Sequence, residues 1–488
     1  MHPVRHDVFF IGGRFRPATG DRRFTVVNPA TEGIVGSAPC GESSDLDAAV
    51  AAARNAFDTG PWPRMTLEER ADHLARFADE LAVRRKEMGE LVLDEIGLPR
   101  RAAYSEAASM IALVRYHVGL AGQITMRERR TGLFGTSADV TREPVGVVAA
   151  IPAWNSPLVL AANKFAPAML AGCTVVCKPA PETCLDTYPV AEAARAAGIP
   201  DGVLNLVASD GVGGDHLSRH PGIDKIAFTG STATGRAVAA AAASHLARVS
   251  LELGGKSAGI VCDDAPIDEV VAAVVAAATL VNGQACIALS RVLVSERRHD
   301  ELVDALRAGF EALVVGDPRD PATQVGPLVS RRHRDRVLGY VADAANEGGR
   351  VVTGGGPPPH TRQGWYVAPT LVTGVSPTSR IAQEEIFGPV LTVLTYTDLD
   401  EAIAIANGTP FGLSGAVFSR DLGRARQLAD RIRSGSVVIN KGAAIDFALP
   451  FGGFGSSGYG REYGPEGVDE YLEHKTIFLA ADGDTKSS

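Results

Sequence analysis

The stretch Val145–Cys177, VGVVAAI-PAWNS-PLVLAANKFAPAML-AGC-TVVC, decides the fold of this chain. Two short apolar runs, Val145–Ile151 and Thr174–Cys177, are rich in small and β-branched residues and predict buried strands. Between them, Pro157–Leu170 is rich in Ala and Leu and begins with a proline, which predicts a helix. A strand, a crossover helix and a second strand form a βαβ unit. The sequence therefore predicts a parallel sheet with helices on its faces.

The same alternation continues along the chain and predicts two α/β units. Further apolar runs predict strands, with helices between most of them, at Val203–Val207, Lys225–Phe228, Val249–Leu253 and Ala258–Cys262. A second series begins with a buried helix over Ile267–Val281 and continues through Arg291–Ser295, Asp300–Leu313, Gly349–Thr353 and Val390–Tyr396. Asp45–Arg115 has apolar residues at three- and four-residue spacing and predicts helices. The polar segment Thr131–Arg142 predicts a hairpin arm.

The composition excludes several classes of protein. The chain has 488 residues, 45% hydrophobic and 22% charged, which is typical of a folded globular protein. Its net charge of −9 disfavours binding to nucleic acid or to anionic membranes. No apolar run reaches the ~18–20 residues of a membrane span. The six cysteines form no CxxC pair and no zinc-type spacing, so no metal site is predicted and a cytoplasmic protein is expected.

A glycine-containing turn follows the predicted strand Lys225–Phe228. Thr229-Gly230-Ser231-Thr232-Ala233-Thr234-Gly235 opens a helix, and free N–H groups at a helix N-terminus can bind a phosphate. The G-x-x-x-x-G spacing is neither the dinucleotide fingerprint nor a P-loop. By itself the turn therefore indicates either an anion site or only a helix capped by Ser231.

Three polar residues end predicted strands or interrupt apolar segments. Asn155 follows the first strand, and its amide could donate a hydrogen bond to an oxyanion or only cap a turn. Glu252 ends a strand and precedes two glycines, so it is either a base or a loop carboxylate. Cys286 lies in the polar stretch Asn282–Cys286, where a thiol is either a nucleophile or a small buried residue.

Together these motifs resemble the NAD(P)-dependent aldehyde dehydrogenase superfamily over nearly the whole chain. Glu252 precedes Cys286 by 34 residues, as in that family's pattern. The segments that carry the resemblance are Pro152–Asn155, Lys178–Ala180, Phe228–Gly235, Glu252–Ser257, Asn282–Cys286, Glu384–Val390 and Pro450–Glu462. The resemblance implies a Rossmann-like cofactor-binding domain over 1–121 and 143–253 and an α/β catalytic domain over 254–467. It also implies a bridging β-arm for oligomerisation over 122–142 and 468–488.

The resemblance further implies roles for individual residues. Cys286 would attack an aldehyde to give a thiohemiacetal whose oxyanion Asn155 would stabilise, and loss of hydride would leave a thioester. Glu252 would activate water to hydrolyse that thioester, and Lys164 and Glu462 would relay protons to it. The residues implied in cofactor binding are Trp154, Lys178, Glu182, Gly230, Ser231, Glu385 and Phe387.

Departures from the family pattern bear on the cofactor and the substrate. Pro181 stands where a glutamate that favours NAD is frequent, and Glu182 follows one residue later. NAD is the favoured cofactor and NADP the alternative. Ser156, Asn163 and Ile445 stand where relatives often have aromatic residues, which predicts a wide tunnel and a bulky or branched aldehyde. The implied tunnel residues are Ser156, Val159, Asn163, Ala285, Ile287, Ile445 and Phe451.

Two other reactions and one inactive form stay open at this stage. A CoA-acylating aldehyde dehydrogenase would pass the thioester to CoA, and the water-activating Glu252 argues against it. A cysteine hydrolase would need a histidine base, and the histidine nearest to Cys286 in sequence is His299. A catalytically silent member would typically lack Cys286 or Glu252. A homodimer or homotetramer is expected, because the arm leaves strand edges that seek partners.

Overall fold

The first main sheet contains the strands predicted from the opening stretch. The computed structural model describes residues 3–479. In spatial order this sheet runs β20 (Gly458–Tyr459), β12 (Arg248–Glu252), β11 (Lys225–Thr229), β8 (Val147–Ile151), β9 (Thr174–Cys177), β10 (Leu204–Leu206), β2 (Val8–Ile11) and β3 (Arg14–Pro17). The run from β12 to β10 is parallel, and antiparallel strands close both edges. The chain extends from β8 in one direction through β9 and in the other through β11, so the strand order reverses between β8 and β11.

The second main sheet is also largely parallel. Its spatial order is β15 (Arg350–Thr353), β16 (Thr370–Thr373), β17 (Val390–Tyr396), β14 (Leu289–Ser295), β13 (Ser257–Val261), β18 (Gly415–Phe418) and β19 (Val438–Ile439). Every pair except β15–β16 is parallel. The strands β13 and β14 are buried over almost their whole length, which explains why they are continuous apolar runs rather than alternating ones.

Two smaller sheets complete the strand structure. One joins β1 (Val4–Arg5), β5 (Ile34–Pro39) and β4 (Arg23–Val27) near the start of the described chain. The other is an antiparallel arm with the order β21 (Leu472–Phe478), β7 (Ser137–Pro144) and β6 (Arg127–Thr131). Both strands at the edges of the arm are exposed over most of their residues.

Helices cover the faces of the sheets. They are α1 (Ser43–Asp58), α2 (Leu67–Val83), α3 (Arg85–Ile96), α4 (Arg100–Leu120), α5 (Pro157–Ala171), α6 (Thr187–Ala196), α7 (Gly211–Arg219), α8 (Thr232–Ala242), α9 (Ile267–Ala278), α10 (His299–Glu311), α11 (Arg331–Asn346), α12 (Arg380–Gln383), α13 (Leu399–Asn407), α14 (Leu422–Ala429) and α15 (Gly464–Asp469). None of the helices within residues 3–479 combines the length and the apolar character that a membrane crossing requires.

Local sequence explains where several of these helices begin and end. Thr66 and Glu69 form a reciprocal capping box at the start of α2. Ser231 accepts a hydrogen bond from the Thr234 backbone N–H at the start of α8. At the end of α5, Gly172 has a φ of 100°, a left-handed conformation that stops a helix and that glycine adopts readily.

The predicted α/β architecture is confirmed, and one helix differs from its prediction. The helix predicted over Ile267–Val281 ends at Ala278, and only one of its faces is buried. Val281 and Asn282 have φ values of 53° and 57°, which no continuing α-helix can contain. The apolar residues that follow Ala278 concealed this break, because apolar composition alone does not report backbone dihedrals.

The domain boundaries given above stay a prediction. The sheets follow the predicted division closely, but β20 lies in the segment 254–467 and pairs with β12 of the first sheet. The arm strands also extend past the predicted limit at residue 142, since β7 ends at Pro144. The strands β1 to β5 come before the predicted helical region and were not predicted, because they are short and interrupted by charged residues.

Candidate active site

A cleft of about 450 Å³ opens at the carboxyl ends of the first sheet's parallel strands. Ligands of open parallel sheets bind in this position, where the strand order reverses. Here β8 and β11 flank the reversal, and the turns that follow them lie in the cleft wall. The lining includes Trp154, Asn155, Glu182, Gly230, Ser231, Gly254, Cys286, Glu385 and Phe387. Residues that are far apart in the sequence are therefore brought into one site.

Cys286 is the one cysteine of the six that is only partly buried. Its apolar surroundings include Val281, Ala285, Ile287 and Phe451. Burial raises the pKa of the Cys286 thiol to about 12, and the carboxylates of Glu385 and Glu252 act in the same direction. The thiol therefore keeps its proton in the resting protein, although it is accessible from the cleft.

A strained turn holds the backbone just before Cys286. Val281, Asn282 and Gly283 all have positive φ values. The Asn282 side chain is buried and donates from Nδ2 to the Gly97 and Pro327 carbonyls at 3.0 Å each. Its Oδ1 accepts from the Gly326 N–H at 2.8 Å. A strained backbone of this kind persists only where surrounding contacts hold it, and here the Asn282 side-chain amide makes those contacts.

The Asn155 amide lies beside the same loop. Its Nδ2 donates to the Gln284 carbonyl at 3.0 Å, two residues before Cys286. A primary amide has two N–H groups, so the second can donate to another acceptor. Asn155 is 7% exposed and lines the cleft with Cys286. The side chains of Asn155 and Cys286 therefore lie in the same cleft.

Glu252 ends β12 as a buried carboxyl group. Neither of its side-chain oxygens has a hydrogen-bond partner among the described residues. Burial raises its pKa well above the usual range, and the nearby Glu462 charge adds to the effect, while Lys164 opposes it. Glu252 is therefore a carboxyl group that binds its proton tightly and has both oxygens free for another partner.

A hydrogen-bonded network adjoins Glu252. The Lys164 ammonium is fully buried and donates to Glu462 Oε1 at 2.7 Å and to Thr229 Oγ1 at 2.6 Å. Asn163 Nδ2 donates to the other oxygen of Glu462. The sequence places Asn163 in the aldehyde tunnel, whereas the structure shows its amide engaged with Glu462. No sequence signal indicates this contact, because 299 residues separate the two positions.

Three of the predicted cofactor residues form one wall of the cleft. Glu385 accepts a hydrogen bond from the Gly255 N–H at 3.0 Å. A Cβ on Gly254 would lie 2.3 Å from the Glu385 carboxylate, so a larger residue there would have to displace this side chain. The rings of Trp154 and Phe387 meet edge to face at 5.4 Å between centroids. These contacts shape a narrow, partly aromatic end of the cleft next to Cys286.

Lys178 and Glu182 differ in their relation to the cleft. The Lys178 ammonium is buried and donates to the Pro179 and Ser209 carbonyls at 3.1 and 2.8 Å. Glu182 lies on a short 3₁₀ turn and lines the cleft directly. The structure therefore brings Glu182, Gly230 and Ser231 to one cavity, while Lys178 lies behind its wall.

Helix α11 contributes residues to the cleft that the sequence did not indicate. Arg332, His333 and Arg336 line it. Arg336 donates to the Glu385 and Ile386 carbonyls at 2.7 and 2.6 Å. Burial lowers the pKa of His333 to about 4, so its neutral ring donates from Nε2 to the Phe387 carbonyl at 2.6 Å. A run of arginines on a helix normally indicates a solvated face, and this pattern contains no cue to the cleft.

The predicted tunnel residues lie in several environments. Ala285, Ile287 and Phe451 pack around Cys286. Ser156 Oγ and the Val159 N–H donate to the Glu106 carboxylate at 2.7 and 3.0 Å, so this part of α5 is capped by Glu106. Ile445 is 48% exposed, on the loop that leads to Phe451.

Comparison with known proteins agrees with the family resemblance and with the fold. The sequence profile described as "Aldehyde dehydrogenase family" matches residues 15–477. The chain is 44% identical to geranial dehydrogenase of Castellaniella defragrans over 98% of this chain and 99% of that protein. It belongs to the aldehyde dehydrogenase family.

Solved structures give the same result. A Mycobacterium tuberculosis aldehyde dehydrogenase in complex with NAD+ superposes with a TM-score of 0.96 at 42% identity, covering 98% of this chain and 99% of that one. A Pseudomonas syringae aldehyde dehydrogenase mutant in complex with NAD+ and octanal gives a TM-score of 0.94 at 38% identity, covering 98% of each chain. The resemblance stated from the motifs is confirmed.

Proposed function

We propose that this protein oxidises an aldehyde to a carboxylic acid with NAD, through a thioester on Cys286 that water hydrolyses. The observation that carries the proposal is the position of Cys286: it is the accessible thiol in a cleft that also contains the Asn155 amide. Glu252, with both oxygens unpartnered, supplies the base. The overall reaction consumes aldehyde, water and NAD+ and yields acid, NADH and a proton.

The residues of the cleft fit a dinucleotide. The N-terminus of α8 at Gly230 and Ser231 offers backbone N–H groups to a diphosphate. Gly254 leaves an open approach beside Glu385 that a Cβ would fill. Glu385 would hold a ribose, Trp154 and Phe387 would pack at the nicotinamide end, and Glu182 would hold the adenosine ribose. Lys178 is buried and does not line the cleft, so its contribution to cofactor binding would be indirect. Relatives that were solved with NAD+ favour NAD over NADP.

The protein's part in the first step is to supply a nucleophile and to stabilise charge. The Cys286 sulfur forms a bond to the aldehyde carbon, its S–H bond breaks with release of the proton to water, and the electron pair of the C=O bond moves to the oxygen. The free N–H of Asn155 then donates to the oxyanion, because its other N–H already holds the Gln284 carbonyl. Bound NAD would accept the hydride from the thiohemiacetal carbon, which leaves a thioester on Cys286.

Hydrolysis of the thioester requires a base, and Glu252 fits this role. Its carboxylate takes a proton from water, whose oxygen attacks the thioester carbon. The carbon–sulfur bond then breaks, the Cys286 thiolate leaves, and a proton from water restores the thiol. The neighbouring Lys164 and Glu462 would pass the proton onward from Glu252. No described contact favours transfer of the thioester to CoA. His299 begins α10 and is not among the residues that line the cleft with Cys286, so it is not placed to be the base of a cysteine hydrolase.

The substrate we propose is an apolar aldehyde that is bulky or branched. The side chains around Cys286 are apolar, with Ala285 and Ile287 on either side of it. The exposed Ile445 and Leu449 extend the apolar surface along the loop to Phe451. The relatives include an enzyme named for geranial and one solved with octanal, which supports an apolar substrate.

The assembly we propose is a homodimer or homotetramer in the cytoplasm. The arm of β6, β7 and β21 leaves two strand edges exposed, and such edges pair readily with another chain. The proposed domain division is the one stated from the sequence.

The decisive experiment compares the wild type with Cys286→Ser on a panel of aldehydes of graded size. We expect NADH formation with the wild type, fastest with bulky apolar aldehydes, and a loss of about 10³-fold or more in Cys286→Ser. Cys262→Ser, a buried cysteine, is the matched control and should keep its activity. Undiminished oxidation by a folded Cys286→Ser protein would refute the mechanism, and equal rates on acetaldehyde and on larger aldehydes would refute the substrate class.

A further inference from the structure

Asn163 and Lys164 are neighbours on α5 that bind the two oxygens of one carboxylate. Lys164 Nζ donates to Glu462 Oε1 at 2.7 Å, and Asn163 Nδ2 donates to Glu462 Oε2. Asn163 is 1% exposed, Lys164 is 0% and Glu462 is 6%. The carboxylate is therefore fully enclosed and held at both oxygens by a single turn of helix.

The backbone of Glu462 is fixed as well. Its N–H donates to the Phe451 carbonyl at 2.7 Å, and its carbonyl accepts from the Phe451 N–H at 2.7 Å. Phe451 and Cys286 both pack against the apolar cluster of Ala285, Ile287, Ala288 and Leu413. Since Lys164 also donates to Thr229 at the end of β11, the network joins α5, the first sheet and the segment that carries Phe451.

Stability alone does not explain an asparagine at position 163. Its Oδ1 is buried and has no hydrogen-bond partner among the described residues. An unsatisfied buried acceptor is unfavourable, and an apolar side chain of similar volume would remove it. The donor to Glu462 is thus the feature that distinguishes asparagine from leucine at this site.

The charge that Asn163 and Lys164 hold in place faces Glu252. The hydrogen bonds from Asn163 and Lys164 fix the Glu462 carboxylate in one position near Glu252. That negative charge disfavours ionisation of Glu252, and Lys164 favours it. The other charged or titratable groups that act on this pair are Arg461, Glu470, Cys286, Tyr463 and Tyr471. The position of Glu462 therefore sets how readily Glu252 becomes a base.

We propose that Asn163 is a positioning residue for deacylation: its amide holds Glu462 on Lys164 and away from Glu252, which leaves both Glu252 oxygens free for water. The inference rests on the proposed function, because it assigns Asn163 to the hydrolysis of the Cys286 thioester. It gives a hydrogen-bonding role to a residue that the sequence placed among the tunnel residues.

The test isolates deacylation by using an activated nitrophenyl ester, which acylates Cys286 without a cofactor. The burst of nitrophenolate reports acylation, and the following steady rate reports hydrolysis. In Asn163→Leu we expect an unchanged burst rate and a steady rate lowered about tenfold. The pH midpoint of the steady rate should move down in Asn163→Leu, because the Glu462 carboxylate loses a hydrogen bond that fixes its charge near Glu252. It should move up in Asn163→Asp, which adds a negative charge beside Glu462.

The double variant Asn163→Leu/Glu462→Gln provides the matched control. Because Glu462→Gln already removes the charge, adding Asn163→Leu to it should change the pH midpoint no further. Equal losses in burst and steady rate, or pH midpoints unchanged in both single variants, would overturn the inference. If Asn163→Leu does not fold, Asn163→Asp alone decides by the direction of its shift. A wild-type protein without a burst or NADH formation would instead overturn the proposed function.

Discussion

Cys286 is accessible but protonated, so at the scale of single residues its reactivity depends on what receives its proton. Burial and two carboxylates keep the thiol pKa at about 12. Asn155 and the strained turn at Asn282 fix the position of the loop but carry no charge. The Cys286 sulfur is therefore held in position while it is still protonated. Its attack on an aldehyde has to be coupled to the loss of the thiol proton.

Glu252 gives a prediction about pH. Its pKa is raised by burial, so the carboxylate that activates water forms only as the pH rises through this raised value. Steady ester hydrolysis should therefore fall on acidification with a midpoint well above that of an ordinary glutamate. Glu252→Gln should keep the burst, lower the steady rate by about 10²- to 10⁴-fold and remove the pH dependence. A midpoint at the ordinary value in the wild type would contradict this account.

Arg332 gives a prediction about cofactor affinity. It lines the cleft and forms no ion pair with another described residue, whereas its neighbour Arg331 pairs with Glu32 at 2.7 Å. A guanidinium at this position suits the NAD diphosphate. Arg332→Gln should weaken binding of ADP-ribose about tenfold in calorimetry, equivalent to about 1.4 kcal/mol. Arg331→Gln is the matched control, and equal affinities in both variants would exclude the contact.

Prediction from sequence depended on the order and spacing of several motifs rather than on any single residue. Asn155 and Glu252 follow or end predicted strands and Cys286 lies in a polar stretch, but each alone also had an ordinary structural interpretation, and the family resemblance supplied the implied roles. The Asn163 contact and the position of Arg332 in the cleft were not predictable, since they join segments that are distant in the sequence. The sequence around Asn163 resembles that of an ordinary buried helix, and the sequence around Arg332 resembles that of an exposed, charged helix.

At the scale of elements, the contact between α3 and the start of α6 buries two carboxyl groups together. Glu95 and Asp186 are 1% and 2% exposed, and each has an oxygen without a described partner. Glu95 Oε1 accepts from the Leu185 N–H at 2.8 Å. Burial raises the pKa of both groups well above the usual range, with the Asp186 charge adding to the effect on Glu95. The folded protein therefore holds protons here that the unfolded chain would release.

This pair predicts a pH-dependent stability. A group whose pKa is raised by folding stabilises the fold below its unfolded pKa, and that stability is lost as the pH rises. Glu95→Gln keeps an acceptor for Leu185 and adds a donor for Asp186. It should raise the free energy of unfolding by about 1–3 kcal/mol at pH 8 and by less at pH 5. Thermal melts at both pH values, with the exposed Glu68→Gln as control, test this; a gain at pH 5 alone would contradict it.

Element boundaries were predictable where apolar runs are long and uninterrupted. The strand predicted at Val390–Tyr396 is found with the same bounds as β17, and the helix predicted from Ile267 starts at that residue. The end of that helix was not predictable, because the turn at Val281 is held by Asn282 contacts to Gly97, Gly326 and Pro327. Contacts of this kind come from tertiary structure and leave no local pattern.

At the scale of the whole molecule, the arm predicts self-association. Its hairpin tip carries Leu133 and Phe134, which are 92% and 94% exposed, and apolar side chains this exposed commonly mark a contact surface. The wild type should sediment as a dimer or tetramer of the 51.0 kDa chain. Leu133→Glu/Phe134→Glu should weaken that assembly at least about tenfold. Ser137, beside the tip, offers the control Ser137→Ala, and a monomeric wild type would exclude the proposal.

Only Cys286 of the six cysteines is partly exposed, so chemical modification of this thiol can be used to count active sites. Cys40, Cys173, Cys177, Cys184 and Cys262 are all buried. Access, rather than acidity, separates them from Cys286, since the pKa values of Cys177 and Cys286 are both about 12. A small alkylating reagent applied to the native protein should therefore add a single mass increment per chain. The fraction of chains so modified would give the concentration of competent nucleophile in any preparation, before a substrate is known.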